Sequence, residues 1–251
     1  MPSNTSPQAG STSAVGNGRE GLWISSGGAT QGFAFLTPTD QYLSFIPPSA
    51  TGTGFGALFD GAWDAAGSNW SFAAGSTFHA GTSSGPVWGG LYGSGTVTPL
   101  SQLQGEYRLL SPGATPTAFS MNYSVANALA VSAGDIVATW SNGGVTIGID
   151  ATGALSGSAQ GGSVGSCAMS GSAAAHEPGT SKNFYTVSIT LGDVTPNSCL
   201  LDKTHGAYQG YGAITLANTG TSESPFLVRS FTLLVRVSSG SSWFAMDVAR
   251  Q

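Results

Sequence analysis

Beyond the first 20 or so residues, the chain consists of short runs in which apolar and polar positions alternate, each ended by Gly, Pro, Asn or Asp. In the run ending at Leu191, Tyr185, Val187, Ile189 and Leu191 alternate with Thr186, Ser188 and Thr190. Phe231, Leu233, Val235 and Val237 alternate in the same way with Thr232, Leu234 and Arg236. A period of two sends successive side chains to opposite faces, so these runs predict strands with one buried face.

From Asp135 onward the pattern predicts eight strands: DIVATWS, GVTIGID, ALSGSA, CAMSGSAAAH, NFYTVSITL, GAYQGYGAITL, FTLLVRV and SWFAMDVA. Turns are marked by Asn142-Gly143-Gly144 and by Ala151-Thr152-Gly153. Strands spaced by about 8 to 14 residues and joined by short turns predict an antiparallel barrel or sandwich. An eight-stranded up-and-down β-barrel filled by side chains is the favoured form, with a sandwich as the alternative.

The first half repeats the style with about eight runs, from GLWISS to AFSMNYSV, richer in aromatics and more often broken by Gly and Pro. The fold class predicted is therefore all-β and antiparallel. Residues 1–18 are expected to form a disordered tether, 19–115 an aromatic-rich β domain and 130–251 the C-terminal barrel. The pattern breaks between Ser111 and Leu129, where VANAL suggests one helical turn. One continuous large barrel or sandwich is the competing organisation.

Both cysteines, Cys167 and Cys199, bracket a predicted hairpin turning at Glu177-Pro178-Gly179-Thr180. Pairing the two arms brings the start of the first beside the end of the second, so Cys199 returns close to Cys167. A disulfide is expected, with two buried free thiols as the alternative. Neither cysteine sits in a C-x-x-C or His-rich setting that would suggest zinc. A disulfide implies an oxidising compartment, hence cell surface, periplasm or medium.

Composition adds three constraints. The 38 glycines argue against long helices. Charged residues make up only 8% of the chain, so solubility must rest on Ser, Thr, Asn and backbone. A net charge of -5 with 7 Lys and Arg leaves no basic patch for nucleic acid. The N-terminal Ser/Gly/Pro/Ala-rich segment lacks the charged start and apolar centre of a secretory signal. The expectation is that a signal has been removed and Met1 introduced. No apolar run reaches the roughly 18 residues of a spanning helix, and membrane contact is expected only through a lipid anchor outside this chain.

Gly21-Leu22-Trp23, the run Val145 to Gly157 (VTIGIDATGALSG), Cys167, the strand Asn183 to Leu191, and Cys199 followed by Gly206-Ala207-Tyr208 together resemble a pattern in uncharacterised Gly/Ser-rich secreted proteins and lipoproteins of Gram-negative bacteria. The barrel half is also similar in style to transferrin-binding-protein-like surface lipoproteins. The resemblance implies surface display for binding a host or environmental ligand. It assigns no site residues.

Candidate chemistry is sparse. Gly81-Thr82-Ser83-Ser84-Gly85 matches the G-x-S-x-G elbow, but the elbow needs a strand-turn-helix context missing here, and a chance match is expected at this Gly and Ser content. Asp60 and Asp64, flanking Trp63, could form a glycosidase pair or a cation site; a polar turn is the plainer reading. His79, His176 and His205 lack a nucleophile and carboxylate at suitable spacing. No cofactor or metal site is expected, and no enzyme. Trp63, Trp70, Trp88 and Tyr92 are candidates for a ligand or partner surface, with core packing as the alternative.

The expectation is thus a non-catalytic secreted or surface-tethered binding or adhesion protein of a bacterial envelope, contacting protein, glycan or a small apolar ligand. The alternatives are a self-assembling structural protein and a small-molecule carrier using a barrel mouth.

Overall fold

The structure, a computed structural model, describes residues 6–25, 32–46, 57–82, 85–110, 113–161, 164–218, 227–237 and 242–251. It is all-β and divides into two compact units, one spanning Thr12–Asn127 and the other Ala128–Gln251 with the chain start up to Ser11.

The first unit begins with a four-residue helix, α1 (Thr12–Val15). Its strands are β1 (Gly21–Ser25), β2 (Phe33–Leu36), β3 (Gln41–Ile46), β4 (Ala57–Ala66), β5 (Asn69–Phe72), β6 (Thr77–Thr82), β7 (Gly85–Thr98), β8 (Gln102–Leu109) and β9 (Thr117–Tyr123). Each pairs antiparallel with its neighbours, β3 also pairs with β4, and β9 returns to β1. Both β5 and β6 lie between β4 and β7, β5 beside Trp63–Ala66 and β6 beside Ala57–Asp60. They occupy one strand position interrupted at Ala73–Ser76. The half expected only to be β-rich is therefore a closed eight-position barrel as well.

The second unit follows a 3-10 turn at Val125–Ala128, where VANAL predicts a helical turn. Its strands, β10 (Ala138–Asn142), β11 (Val145–Ile149), β12 (Ala154–Gly161), β13 (Gly165–Ala175), β14 (Tyr185–Asp193), β15 (Tyr208–Asn218), β16 (Leu227–Val237) and β17 (Trp243–Arg250), form a closed barrel in chain order. All eight match the runs read from the sequence. In β14 the alternating residues Tyr185, Val187, Ile189 and Leu191 are buried, as the period of two requires.

Two boundaries differ from expectation. The first unit runs through Asn127, past the expected end at residue 115, because β9 is needed to close the barrel between β8 and β1. In the expected tether, residues 1–5 lie outside the described residues, but Ser11 and Thr12 are buried and the Gln8 amide donates to the Ala128 carbonyl at 2.9 Å. A polar segment of this kind is held by backbone hydrogen bonds, which composition does not reveal.

The barrels repeat one another in detail. Trp23 and Trp140 are each the third residue of a first strand, each fully buried, and each donates its indole N-H to the carbonyl four residues back, Arg19 at 2.8 Å and Ile136 at 2.9 Å. The register Trp23↔Ala34 and Leu36↔Tyr42 is matched by Trp140↔Ile147 and Ile149↔Leu155. The turn Thr37–Gln41 likewise matches Asp150–Ala154: Thr37 N-H bonds Gln41 O, and Asp150 N-H bonds Ala154 O. Asp40 and Gly153 hold the same left-handed position at φ 57° and 80°, and their carbonyls accept from Trp63 and Ala173, equivalent points of β4 and β13.

The cores are filled differently. The second barrel packs Ile147, Val187, Ile189 and Leu233 around a few aromatics, among them Trp140 and Phe231. The first stacks aromatics over glycine: a Cβ on Gly105 would lie 2.7 Å from the Trp70 ring, so only glycine lets that indole cross the interior. Burying one such large side chain contributes roughly 1.5 to 3 kcal/mol.

Candidate binding surface

The four aromatic candidates separate by strand phase. Trp63 on β4 and Trp70 on β5 point into the first barrel, 7% and 2% exposed, and stack with ring centroids 5.1 Å apart. They are core, which corrects the surface reading for these two. Trp70 donates its indole N-H to the Gln104 carbonyl at 3.3 Å. Trp88 and Tyr92, four apart on β7, face outward and are 70% and 54% exposed.

Register builds a surface around Tyr92. On β8 its partner is Arg108, and Ser94 pairs with Glu106, so the outward side chains of both strands meet on one face. The Arg108 guanidinium lies 6.0 Å from the Tyr92 ring centroid, at the edge of cation-π range. Leu110, 52% exposed, covers Gly90 and lies between the two aromatics: a Cβ on Gly90 would be 2.3 Å from its methyl. Beside Tyr92 lies an open hollow of about 420 Å³, lined by Ser71, Tyr92, Gly93, Ser94, Glu106 and Arg108 among others. It lies where β7 passes the end of β5, next to the interruption of that strand position.

Sequence reading missed Glu106, Arg108, Leu110 and Gly93. The alternation in LQGEYRLL does contain the signal, since Leu103, Tyr107 and Leu109 take the inner phase and leave Glu106 and Arg108 outside. What it lacks is the pairing that sets them beside Tyr92.

The first barrel's interior leaves little room. A cavity of about 20 Å³ lies among Trp23, Tyr42, Phe59, Trp63, Phe72 and Phe119, space for about one water. Tyr42 and Phe72 stack across it at 4.8 Å, and Trp63 Nε1 is buried with no hydrogen-bond partner among the described residues. Burial raises the Tyr42 hydroxyl well above its ordinary pKa.

Other candidates stay apart. Asp60 and Asp64 share the outer phase of β4, two pleats or about 13 Å along the strand, too far to act as one carboxylate pair. His79 lies on β6, His176 bonds Thr186 Oγ1 at 2.9 Å through Nδ1, and His205 contacts Asp202. Among the described residues, no group of three or more His, Cys, Asp or Glu is placed to hold a metal ion. Ser83 and Ser84 of the G-x-S-x-G match lie outside the described residues. No helix among the described residues is long and apolar enough to cross a membrane.

Cys167 and Cys199 form the expected disulfide, with Cα atoms 4.5 Å apart. The loop after β14 folds back on the start of β13: Ser166 N-H bonds Ser198 O at 2.7 Å, and Leu200 N-H bonds Val164 O at 3.0 Å. Asp193 caps this return by accepting from Lys203 Nζ at 2.7 Å and from the Cys199 amide at 2.8 Å. Those bonds, Lys203 first, hold its carboxyl below the usual range.

No family model, curated protein sequence or solved structure matches the chain.

Proposed function

We propose that the protein is a non-catalytic binding protein of a bacterial envelope, secreted or tethered at the surface, that engages its partner through the outer face of the first barrel. The observation that carries this reading is the outward pair Trp88 and Tyr92, two large aromatics left 70% and 54% exposed by a barrel that packs its other tryptophans inside. Exposed Trp, Tyr and Arg are the residue types that anchor interfaces. The disulfide supports an oxidising compartment.

Two features weigh against the other readings. A carrier needs an interior of several hundred Å³, and the first barrel's cavity has room for about one water. Assembly through sheet edges needs unpaired edge strands, and the closed pairing β10 to β17 and β9 to β1 leaves neither ring with an open end.

The test has two arms. Fractionation of the source cells, with alkylation of native material, should place an unreactive, disulfide-linked chain in the envelope or medium. Fluorescently labelled protein and its Trp88→Ala/Tyr92→Ala variant should then be applied to arrayed extracellular proteins, glycans and lipids. Binding by the parent protein that the variant loses supports the reading; equal binding by both, or none by either, overturns it.

A further inference from the structure

We infer that the hollow beside Tyr92 is a carbohydrate site, and that its ligand is a neutral oligosaccharide lying along β7 from Tyr92 toward Trp88. This deepens the binding reading above and rests on it.

A pyranose has an apolar face of C-H groups and a rim of hydroxyls that both donate and accept. The hollow presents the complement of each. The Tyr92 ring supplies a flat apolar surface, 54% exposed, held against the Arg108 guanidinium at 6.0 Å. Glu106 and Arg108, two apart on β8 and in the same outward phase, place a carboxylate beside a guanidinium. The first accepts two O-H groups and the second donates a planar fork, so together they suit vicinal hydroxyls. Ser71 and Ser94, paired across β5 and β7, add hydroxyls of either polarity.

The backbone of Gly93 contributes to the lining; it holds the inward phase, and a Cβ there would meet the Phe72 ring at 2.6 Å inside the barrel. Two further points narrow the class. The two charged groups lining the hollow are one acid and one base, so the site attracts neither anions nor cations strongly and favours an uncharged polar ligand. Trp88 stands in the same phase as Tyr92, about 13 Å along the strand, with Leu110 covering the glycine between them. That apolar track is longer than one sugar ring and suits an oligomer, while about 420 Å³ holds its leading unit. A protein partner would find a polar, open depression at the centre of its contact, where interfaces instead place a dry apolar cluster.

The experiment is calorimetric titration and tryptophan fluorescence of the full chain with cellohexaose, maltohexaose, mannohexaose and chitohexaose, with heparin as the anionic comparison. Parallel measurements use Tyr92→Ala, Trp88→Ala, Arg108→Gln and Glu106→Gln. All four residues are exposed, and circular dichroism verifies that each variant keeps its fold. At least one neutral hexasaccharide should bind, with affinity falling about tenfold or more in Tyr92→Ala and in Arg108→Gln, and with Trp88 fluorescence responding in the parent protein.

Binding that ignores these variants, or binding of heparin alone, overturns the proposal. If no hexasaccharide binds at millimolar concentration while arrayed proteins bind through Trp88 and Tyr92, the carbohydrate site falls and the surface-binding reading stands. If no probe of any class binds, both fall.

Discussion

Asn127 and Asn183 show how single polar residues hold this fold. Each is fully buried, and each satisfies both backbone groups of one strand residue: Asn127 with Leu22 at 2.9 and 2.8 Å, Asn183 with Ile214 at 2.8 and 2.7 Å. Replacing Asn183 by Ala strands a buried N-H and a buried C=O, so Asn183→Ala should cost about 2 to 4 kcal/mol; urea unfolding measures it. A second residue-scale test concerns acid. Burial opposes ionisation of Asp135, but the Ser132 amide and the Arg229 guanidinium bind its carboxylate and bring its pKa to about 2. The unfolded value is about 3.9, so the stabilisation is fully present above that value and fades as pH falls through about 2. The Tm difference between the parent protein and Asp135→Asn should therefore shrink as pH is lowered from 5 to 2. A constant difference would refute the pair's role.

At the scale of elements, the disulfide closes a 32-residue separation around β13 and β14 and fastens the return loop to the start of β13. Chain entropy for such a loop predicts about 3 to 4 kcal/mol. The Cys167→Ser/Cys199→Ser variant should lose about that much by denaturant unfolding, with the loss confined to the second barrel's transition. This bridge was legible in the sequence because the hairpin between Ala175 and Tyr185 has a clear turn and a clean alternation. So were all eight strands of the second barrel. The first barrel was less legible: NWSFAAGSTFHA reads as one run and does mark the single position that β5 and β6 share, but closure by β9 depends on pairing with β1 about 100 residues away. The outward aromatics were named, but only half correctly, because hydropathy along NWSF and VWGGLYG does not say which phase faces in. Trp70 is inside because Gly105 makes room for it, a fact about a partner strand.

At the scale of the whole molecule, both barrels are closed and packed. Native mass spectrometry of the purified protein should accordingly give the mass of the oxidised chain with no retained small molecule. A stoichiometric co-purified lipid or cofactor would show that the first barrel opens far beyond the space for one water beside Trp63. The repeated plan of the two barrels escaped sequence reading because little besides the tryptophans and the turn preserves it. TPTD and DATG share one threonine, and equivalent core positions are occupied by Tyr42 in one barrel and Leu155 in the other.

That shared plan has a consequence for folding. A newly made chain carrying two opening hairpins of identical register offers each of them two addresses, and misassembly of this kind is a characteristic hazard of repeated domains. The divergent fillings act as a lock against it: the Tyr42 hairpin, seated where Leu155 belongs, would press a bulky ring into a space shaped for an aliphatic side chain. The unlike interiors thus serve to keep each half of the chain from completing the other's ring.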